Sequence, residues 1–211
     1  MSKDRILWGV GTSRTIRAHW ALIELNLSYK TEIIRTRTPD TETATFKSVN
    51  PRQKIPVLQD GTLTIGESAA IVTYLSENYG TDKISLIPKN PKARAKYFEW
   101  MSFICMELDA TSLYVLRRHW SLPEIYGDSP VANKASEEYF NRMITAADKL
   151  KNPKQKYLLE TGFSGVDILM ATTLKWAIDY NQKIPTNFME YLDHMGNRPG
   201  YIAALKANKM P

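Results

Sequence analysis

Lys54-Ile55-Pro56-Val57-Leu58, followed across Asp60-Gly61 by Ile65-Gly66-Glu67-Ser68-Ala69-Ala70-Ile71, is the stretch whose reading decides the fold. Pro56 has no N–H to give a sheet, so at the head of the apolar pair Val57-Leu58 it predicts a strand start or a tight bend. Its tertiary amide brings a cis Ile55-Pro56 bond within reach. Two short strands, 57–59 and 62–65, flank Asp60-Gly61, a hairpin turn pair. Ser68, Ile71, Val72, Leu75 and Tyr79 then recur at helical spacing. That spacing puts Glu67 and Ser68 at a helix start, where unbonded backbone N–H groups can hold a carboxylate.

Upstream, Ile6-Leu7-Trp8-Gly9-Val10 is a short apolar strand, and Ile16, Trp20, Ile23 and Leu27 mark one face of a helix ending near Asn26. A second strand is expected within 29–36, around Ile33-Ile34. A βαβ start makes the first two strands parallel, and the hairpin adds antiparallel ones, which predicts a thioredoxin-like α/β domain over 1–80. Residues 81–91 are rich in turn formers and read as a linker. From 92 to 211 every periodic segment is helical: 93–118, 133–150, 166–180, 186–195 and 201–207. The fold class is therefore α/β plus all-α, a thioredoxin-like domain followed by a helical bundle. Ser164-Gly165-Val166-Asp167 has capping-box spacing, with Asp in place of Glu or Gln, so Asp167 is read as structural.

The chain of 211 residues, 43% hydrophobic and 24% charged, has the make-up of an ordinary globular protein with a sizeable core. No apolar run approaches the roughly 20 residues that span a bilayer, and Met1-Ser2-Lys3-Asp4-Arg5 leads into too short an apolar stretch for a signal peptide. No membrane association and a cytoplasmic location are expected. A single cysteine, Cys105, excludes an internal disulfide framework and a Cys-rich metal site, and is read as a small buried hydrophobe. His19, His119 and His194 show no metal-ligand spacing, so no metal is expected. The net charge of +6 comes from Lys and Arg dispersed along the chain, which reads as a basic surface that attracts small anions rather than a nucleic-acid reader.

The combination of Asn50-Pro51-Arg52-Gln53-Lys54-Ile55-Pro56-Val57-Leu58 with Glu67-Ser68-Ala69-Ala70-Ile71 resembles the glutathione-binding half of the cytosolic glutathione transferases. The Ser-x-x-Asp box at 164–167 and the Arg198-Pro199-Gly200-Tyr201 helix boundary extend the likeness over the whole chain. The resemblance implies glutathione as co-substrate. The backbone of Ile55, ahead of cis-Pro56, would face its cysteinyl part, Glu67 and Ser68 would hold the γ-glutamyl group, and Lys54 would meet the glycyl carboxylate. It also implies a homodimer, a detoxification role and a second-substrate pocket drawn from Trp8, Val10, Met106, Tyr114, Arg117 and Trp120.

Glutathione chemistry needs a thiolate, and lowering a thiol pKa of about 8.5 by two units takes about 2.7 kcal/mol. A helix terminus typically supplies about 0.3–1 kcal/mol and a hydrogen bond to a charged group about 1.5–3, so a hydroxyl at the N-terminus of the first helix supplies both. Thr12, Ser13 and Thr15 stand there. In the family the activator is a Tyr late in the first strand, or a Ser or Cys just before the first helix. The Tyr position holds Trp8 and the first domain has no Cys, which points to a bacterial member of Ser/Thr type. Ser13 is the first candidate and Thr12 the second, against the plainer reading that either caps the helix. Arg14 is a candidate anion contact. Three activities fit: conjugation of glutathione to an electrophilic, partly apolar molecule; glutathione-dependent reduction of a disulfide or peroxide; or a binding role on the same fold without catalysis.

Overall fold

The computed structural model describes residues 5–210, so the reading based on residues 1–4 lies outside it. The chain opens with β1 (Arg5–Trp8), α1 (Thr15–Glu24) and β2 (Lys30–Glu32). It continues through a 3₁₀ turn (Pro39–Glu42) and α2 (Ala44–Val49) to β3 (Val57–Asp60), β4 (Leu63–Gly66) and α3 (Ser68–Tyr79). The sheet order is β2-β1-β3-β4, with β1 parallel to β2 and antiparallel to β3, and the hairpin β3–β4 at the edge. This is the expected thioredoxin-like layout. The Ile55-Pro56 peptide is cis, and the hairpin turns at Gly61 with φ 61°.

β2 falls earlier than the Ile33-Ile34 pair. It registers Ile6, Leu7 and Trp8 of β1 against Lys30, Thr31 and Glu32. Beyond that, β1 has already turned at Gly9, and only Gly9 N to Glu32 O and Val10 N to Ile34 O prolong the pairing. Ile34 is buried against Phe46 and Val57 beneath α2. On the opposite face Trp20, Leu22, Ile71 and Leu75, from α1 and α3, close over Leu7 and Leu58. Each such side chain contributes about 1.5–3 kcal/mol when fully buried.

The remaining elements are α4 (Pro91–Phe103), a π-type segment Ile104–Leu113, α5 (Tyr114–Leu116), a second π-type segment Arg117–Ser121, α6 (Pro123–Tyr126), α7 (Pro130–Leu150), α8 (Gly165–Asp179), α9 (Thr186–Gly196) and α10 (Pro199–Ala207). The single helix expected over 93–118 is thus helical but widened from Ile104 on. Ser112 Oγ, donating to Glu107 O at 2.7 Å, adds a side-chain bond of that five-residue spacing.

Two compact units result. One comprises the chain up to Ile87 together with Asn197–Pro211, the other Pro88–Gly196. The last helix, expected with the bundle at 92–211, packs on the first unit instead. Trp20 and Tyr201 meet at 4.8 Å between ring centres, and Arg198 forks onto Glu24. In the second unit α8 is buried on nearly every side from Val166 to Leu174. Its capping box is complete: Asp167 Oδ2 accepts from Ser164 N at 2.8 Å and Ser164 Oγ at 3.0 Å, and Oδ1 from Leu158 N and Tyr191 Oη at 2.9 and 3.0 Å. Among the described residues no helix is long and apolar enough to cross a membrane.

Candidate functional site

The turn from β1 into α1 is shaped by two glycines, Gly9 at φ 112° and Gly11 at φ 79°. Residues with a Cβ rarely adopt such angles. At Gly9 there is also no room, since a Cβ would stand 2.6 Å from the Cβ of Ile55, so the turn rests directly against the cis-proline loop. Thr12 then leads into α1. Its carbonyl accepts from Ile16 N at 3.2 Å, and its Oγ1 accepts from Thr15 N at 3.0 Å and Arg14 N at 3.3 Å. The capping alternative therefore describes Thr12. Ser13, the next residue, is half-buried, and among the described residues no hydrogen bond engages its hydroxyl. It lies in the turn that leads into the positive end of α1.

The cis-proline loop is templated by Asn50, whose side chain donates to Lys54 O at 2.7 Å and accepts from Arg52 N at 3.2 Å. Lys54 is exposed, Ile55 half-buried and Pro56 buried. Val57 leads straight into β3, so the backbone of Ile55 is presented at the sheet's end. Beside it, Gly66 closes β4, Glu67 takes φ 66°, and Ser68 opens α3. Glu67 reaches outward to Arg52, Oε1 to Nη1 3.2 Å, with both side chains mostly exposed. Ser68 is buried, and its Oγ accepts from Arg17 Nη1 at 3.2 Å. Lys54, Ile55, Pro56, Glu67 and Ser68 thus lie where α2 leads into β3 and β4 leads into α3, at one end of the sheet.

Three residues outside the sequence-derived set belong to this neighbourhood. Arg17, 1% exposed, brings a guanidinium from α1 to the start of α3. Arg52 lies within the quoted stretch, and a Cβ at Gly66 would stand 2.4 Å from its Nη2. His19 lies under the turn, with Nε2 3.4 Å from Gly9 O and Nδ1 2.9 Å from Tyr29 Oη. Burial pushes His19 down to about 4 and Tyr29 up to about 12, so a neutral imidazole donates to Gly9 O and accepts from the phenol. Arg52 stands within the motif itself, whereas nothing local marks Arg17 or His19.

The residues expected to line a second pocket come from both units. Val10 lines a cavity of about 430 Å³ with Thr31, Ile33, Ala207, Lys209 and Met210. Trp8 instead stands against Phe46, 6.0 Å between ring centres, and donates from Nε1 to Gln59 Oε1 at 2.8 Å, so it serves the layer beneath α2. Met106, Tyr114, Arg117 and Trp120 all belong to the 104–121 segment of the second unit. Met106 is exposed, Arg117 lies 6.0 Å from the Tyr114 ring, and Trp120 packs edge-on to Tyr180. Cys105 is half-exposed rather than buried. Among the described residues no group of three His, Cys, Asp or Glu side chains is placed to hold a metal.

The chain thus combines a thioredoxin-like sheet, with a cis-proline loop beside a Glu-Ser helix start, and a helical unit. Residues 13–78 match the glutathione S-transferase N-terminal domain family. The chain is 25% identical over 170 residues to glutathione S-transferase A of Pleuronectes platessa, covering 80% of this chain and 75% of that one. It is 29% identical over 161 residues to glutathione S-transferase D6 of Drosophila melanogaster, covering 74% and 70%. A glutathione transferase from Pseudomonas putida, solved with one glutathione disulfide per subunit, superposes with a TM-score of 0.81 at 20% identity over 98% of this chain and 93% of that one. The similarity to glutathione transferases thus extends from the N-terminal domain match over most of the chain.

Proposed function

We propose that this protein is a glutathione transferase of Ser type that conjugates the glutathione thiolate to an electrophilic, partly apolar small molecule. The observation that supports it most is the division between two adjacent hydroxyls: Thr12 Oγ1 accepts two backbone N–H groups and pairs with the Thr15 hydroxyl, while among the described residues the Ser13 hydroxyl is engaged by none. Glutathione would lie along the cis-proline loop, its cysteinyl backbone against Ile55, its γ-glutamyl group at Glu67 and Ser68, its glycyl carboxylate toward Lys54. Arg17, behind Ser68, adds a fixed positive charge to the γ-glutamyl end. The thiol gives its proton to solvent and the sulfur anion accepts a hydrogen bond from Ser13. The C–S bond forms as the leaving group departs with its electron pair or, in an addition, as the resulting carbanion takes a proton from solvent. Holding both reactants together supplies much of the rate. The cavity beside Val10 gives the electrophile an apolar wall with one cation, Lys209. Assembly as a homodimer is part of the proposal, and a solution mass of one chain would remove it.

A second reading, reduction of a disulfide by glutathione, draws on the Pseudomonas putida relative that holds glutathione disulfide. Higher turnover of a mixed disulfide than of a halogenated aromatic would favour it. The first test is calorimetric glutathione binding, with the ultraviolet absorbance of the bound thiolate followed against pH. Binding with a depressed thiol pKa is the expected result. No binding at millimolar glutathione overturns the reading and leaves a fold used for protein contacts.

A further inference from the structure

We propose that Asn208, immediately after α10, is a positioning residue for thiol activation, acting by fixing the backbone and hydroxyl orientations of the 11–15 turn that carries Ser13. The inference rests on the reading of Ser13 given above.

Every polar atom of the Asn208 side chain is spent on this turn. Its Oδ1 accepts from Thr15 Oγ1 at 2.6 Å and from Gly11 N at 3.1 Å, and its Nδ2 donates to Thr12 O at 3.2 Å. Its own carbonyl accepts from Gly11 N at 2.9 Å. The chain beyond it lies on the same turn, since a Cβ at Gly11 would meet Met210 Cγ at 2.6 Å.

The consequence is an ordering of protons. Thr15 has one hydroxyl hydrogen and three acceptors in reach, Asn208 Oδ1 at 2.6 Å, Thr12 O at 3.0 Å and Thr12 Oγ1 at 3.0 Å. The shorter contact directs it to the amide. Thr15 Oγ1 is then an acceptor for Thr12 N at 2.9 Å and for the Thr12 hydroxyl at 3.0 Å. The Thr12 hydroxyl therefore turns to Thr15, its lone pairs receive the N–H groups of Arg14 and Thr15, and the hydroxyl of the turn left to donate is that of the neighbouring Ser13. Without the amide, Thr15 turns its proton to Thr12 O and the inward chain of hydroxyls loses its terminus. A residue that merely finished α10 would need only its backbone, whose N donates to Ala204 O at 2.9 Å.

The test compares wild type, Asn208→Ala and Asn208→Asp for the thiol pKa of bound glutathione, glutathione Kd and Tm. In Asn208→Ala the bound thiol pKa rises by at least about 0.5 unit, because the donor geometry at the thiolate is lost. Kd at a pH below thiol ionisation changes less than about threefold, since the γ-glutamyl anchors are untouched. Asn208→Asp raises the pKa further: it adds negative charge beside the thiolate and turns an acceptor toward Thr12 O. Asn208→Asp keeps the side-chain shape and carries the test if the alanine variant fails to fold. Thiol pKa values within about 0.2 unit of wild type in the folded variants overturn this inference alone. A wild type that binds glutathione without lowering its thiol pKa overturns the transferase reading and this inference with it.

Discussion

Arg198 holds Glu24 through two parallel hydrogen bonds, Nε to Oε1 at 2.9 Å and Nη2 to Oε2 at 2.8 Å, while Trp20 Nε1 donates to the same Oε1 at 2.8 Å. Both charges are largely withdrawn from solvent, so the fork clamps the start of α10 to the end of α1. Arg198→Met leaves Glu24 with a charge and one neutral donor. We expect a loss of about 2–4 kcal/mol in a denaturant titration, with the C-terminal helix cleaved first in limited proteolysis. Gly200→Ala tests the same clamp from another side, because its Cβ would stand 2.3 Å from Glu24 Oε1. A stability equal to wild type in both variants refutes the role.

The proposed roles of Thr12 and Ser13, one structural and one chemical, can be tested separately. Thr12→Ala removes the cap and is expected to cost about 1 kcal/mol of stability. Ser13→Ala is expected to leave stability within about 0.5 kcal/mol and to lower kcat/KM about 10–100-fold, the value of one hydrogen bond to a charged group. Chemical denaturation and steady-state kinetics on a halogenated aromatic check the pair. The reverse pattern would assign activation to Thr12.

His19 makes the protein acid-sensitive. Its pKa is lowered from 6.5 to about 4 by burial, so the unfolded chain takes up a proton where the folded one does not. Its contribution is present above pH 6.5 and lost as pH falls toward 4, for a total of about 3 kcal/mol. His19→Gln, which can still donate to Gly9 O, lacks this slope. Stability curves of wild type and variant that run parallel between pH 6.5 and 4 would disprove it.

Asp167 has the opposite sign. Burial lifts it to about 6 from 3.8, so its contribution is fully present below 3.8 and falls as pH rises through 6. Asp167→Asn turns an amide donor toward two donors and is expected to cost about 2–4 kcal/mol. The deficit relative to wild type is largest near pH 4 and narrows toward pH 7. A deficit that does not change with pH would show that the carboxyl titrates alike in both states.

Gly9 couples the two halves of the site. Gly9→Ala forces a Cβ into Ile55 at an unfavourable φ. The expected cost is about 1–3 kcal/mol of stability. Calorimetry should also show weaker glutathione binding, through the displaced cis-proline loop, and unchanged affinity would argue that Ile55 does not face the peptide.

What could be read in the chain was chemistry confined to a few neighbouring residues. A proline lacks an N–H wherever it is placed, so Pro56 announced the strand start and the bend. Asp60-Gly61 announced the hairpin, and Ser164 with Asp167 the cap of α8, because each motif closes within four residues of itself. The Lys54-to-Pro56 loop and the Glu67-Ser68 helix start were legible for the same reason.

Tertiary structure decided the matters that depend on distant partners. Ser13 and Thr12 are equivalent as letters, and only the capping geometry of the folded turn distinguishes them. Trp8 could face a pocket or the layer beneath α2 until Phe46 and Gln59 took their places. The last helix joined the first unit because Glu24 and Trp20 offered it partners that helical periodicity does not encode. Arg17 met Ser68 across 51 residues and Asn208 met Gly11 across 197, separations at which a hydrogen bond leaves no trace in local pattern. Backbone propensity and turn chemistry act over one or two turns of chain, whereas the placement of the 11–15 turn depends on contacts that exist only once the chain has closed on itself.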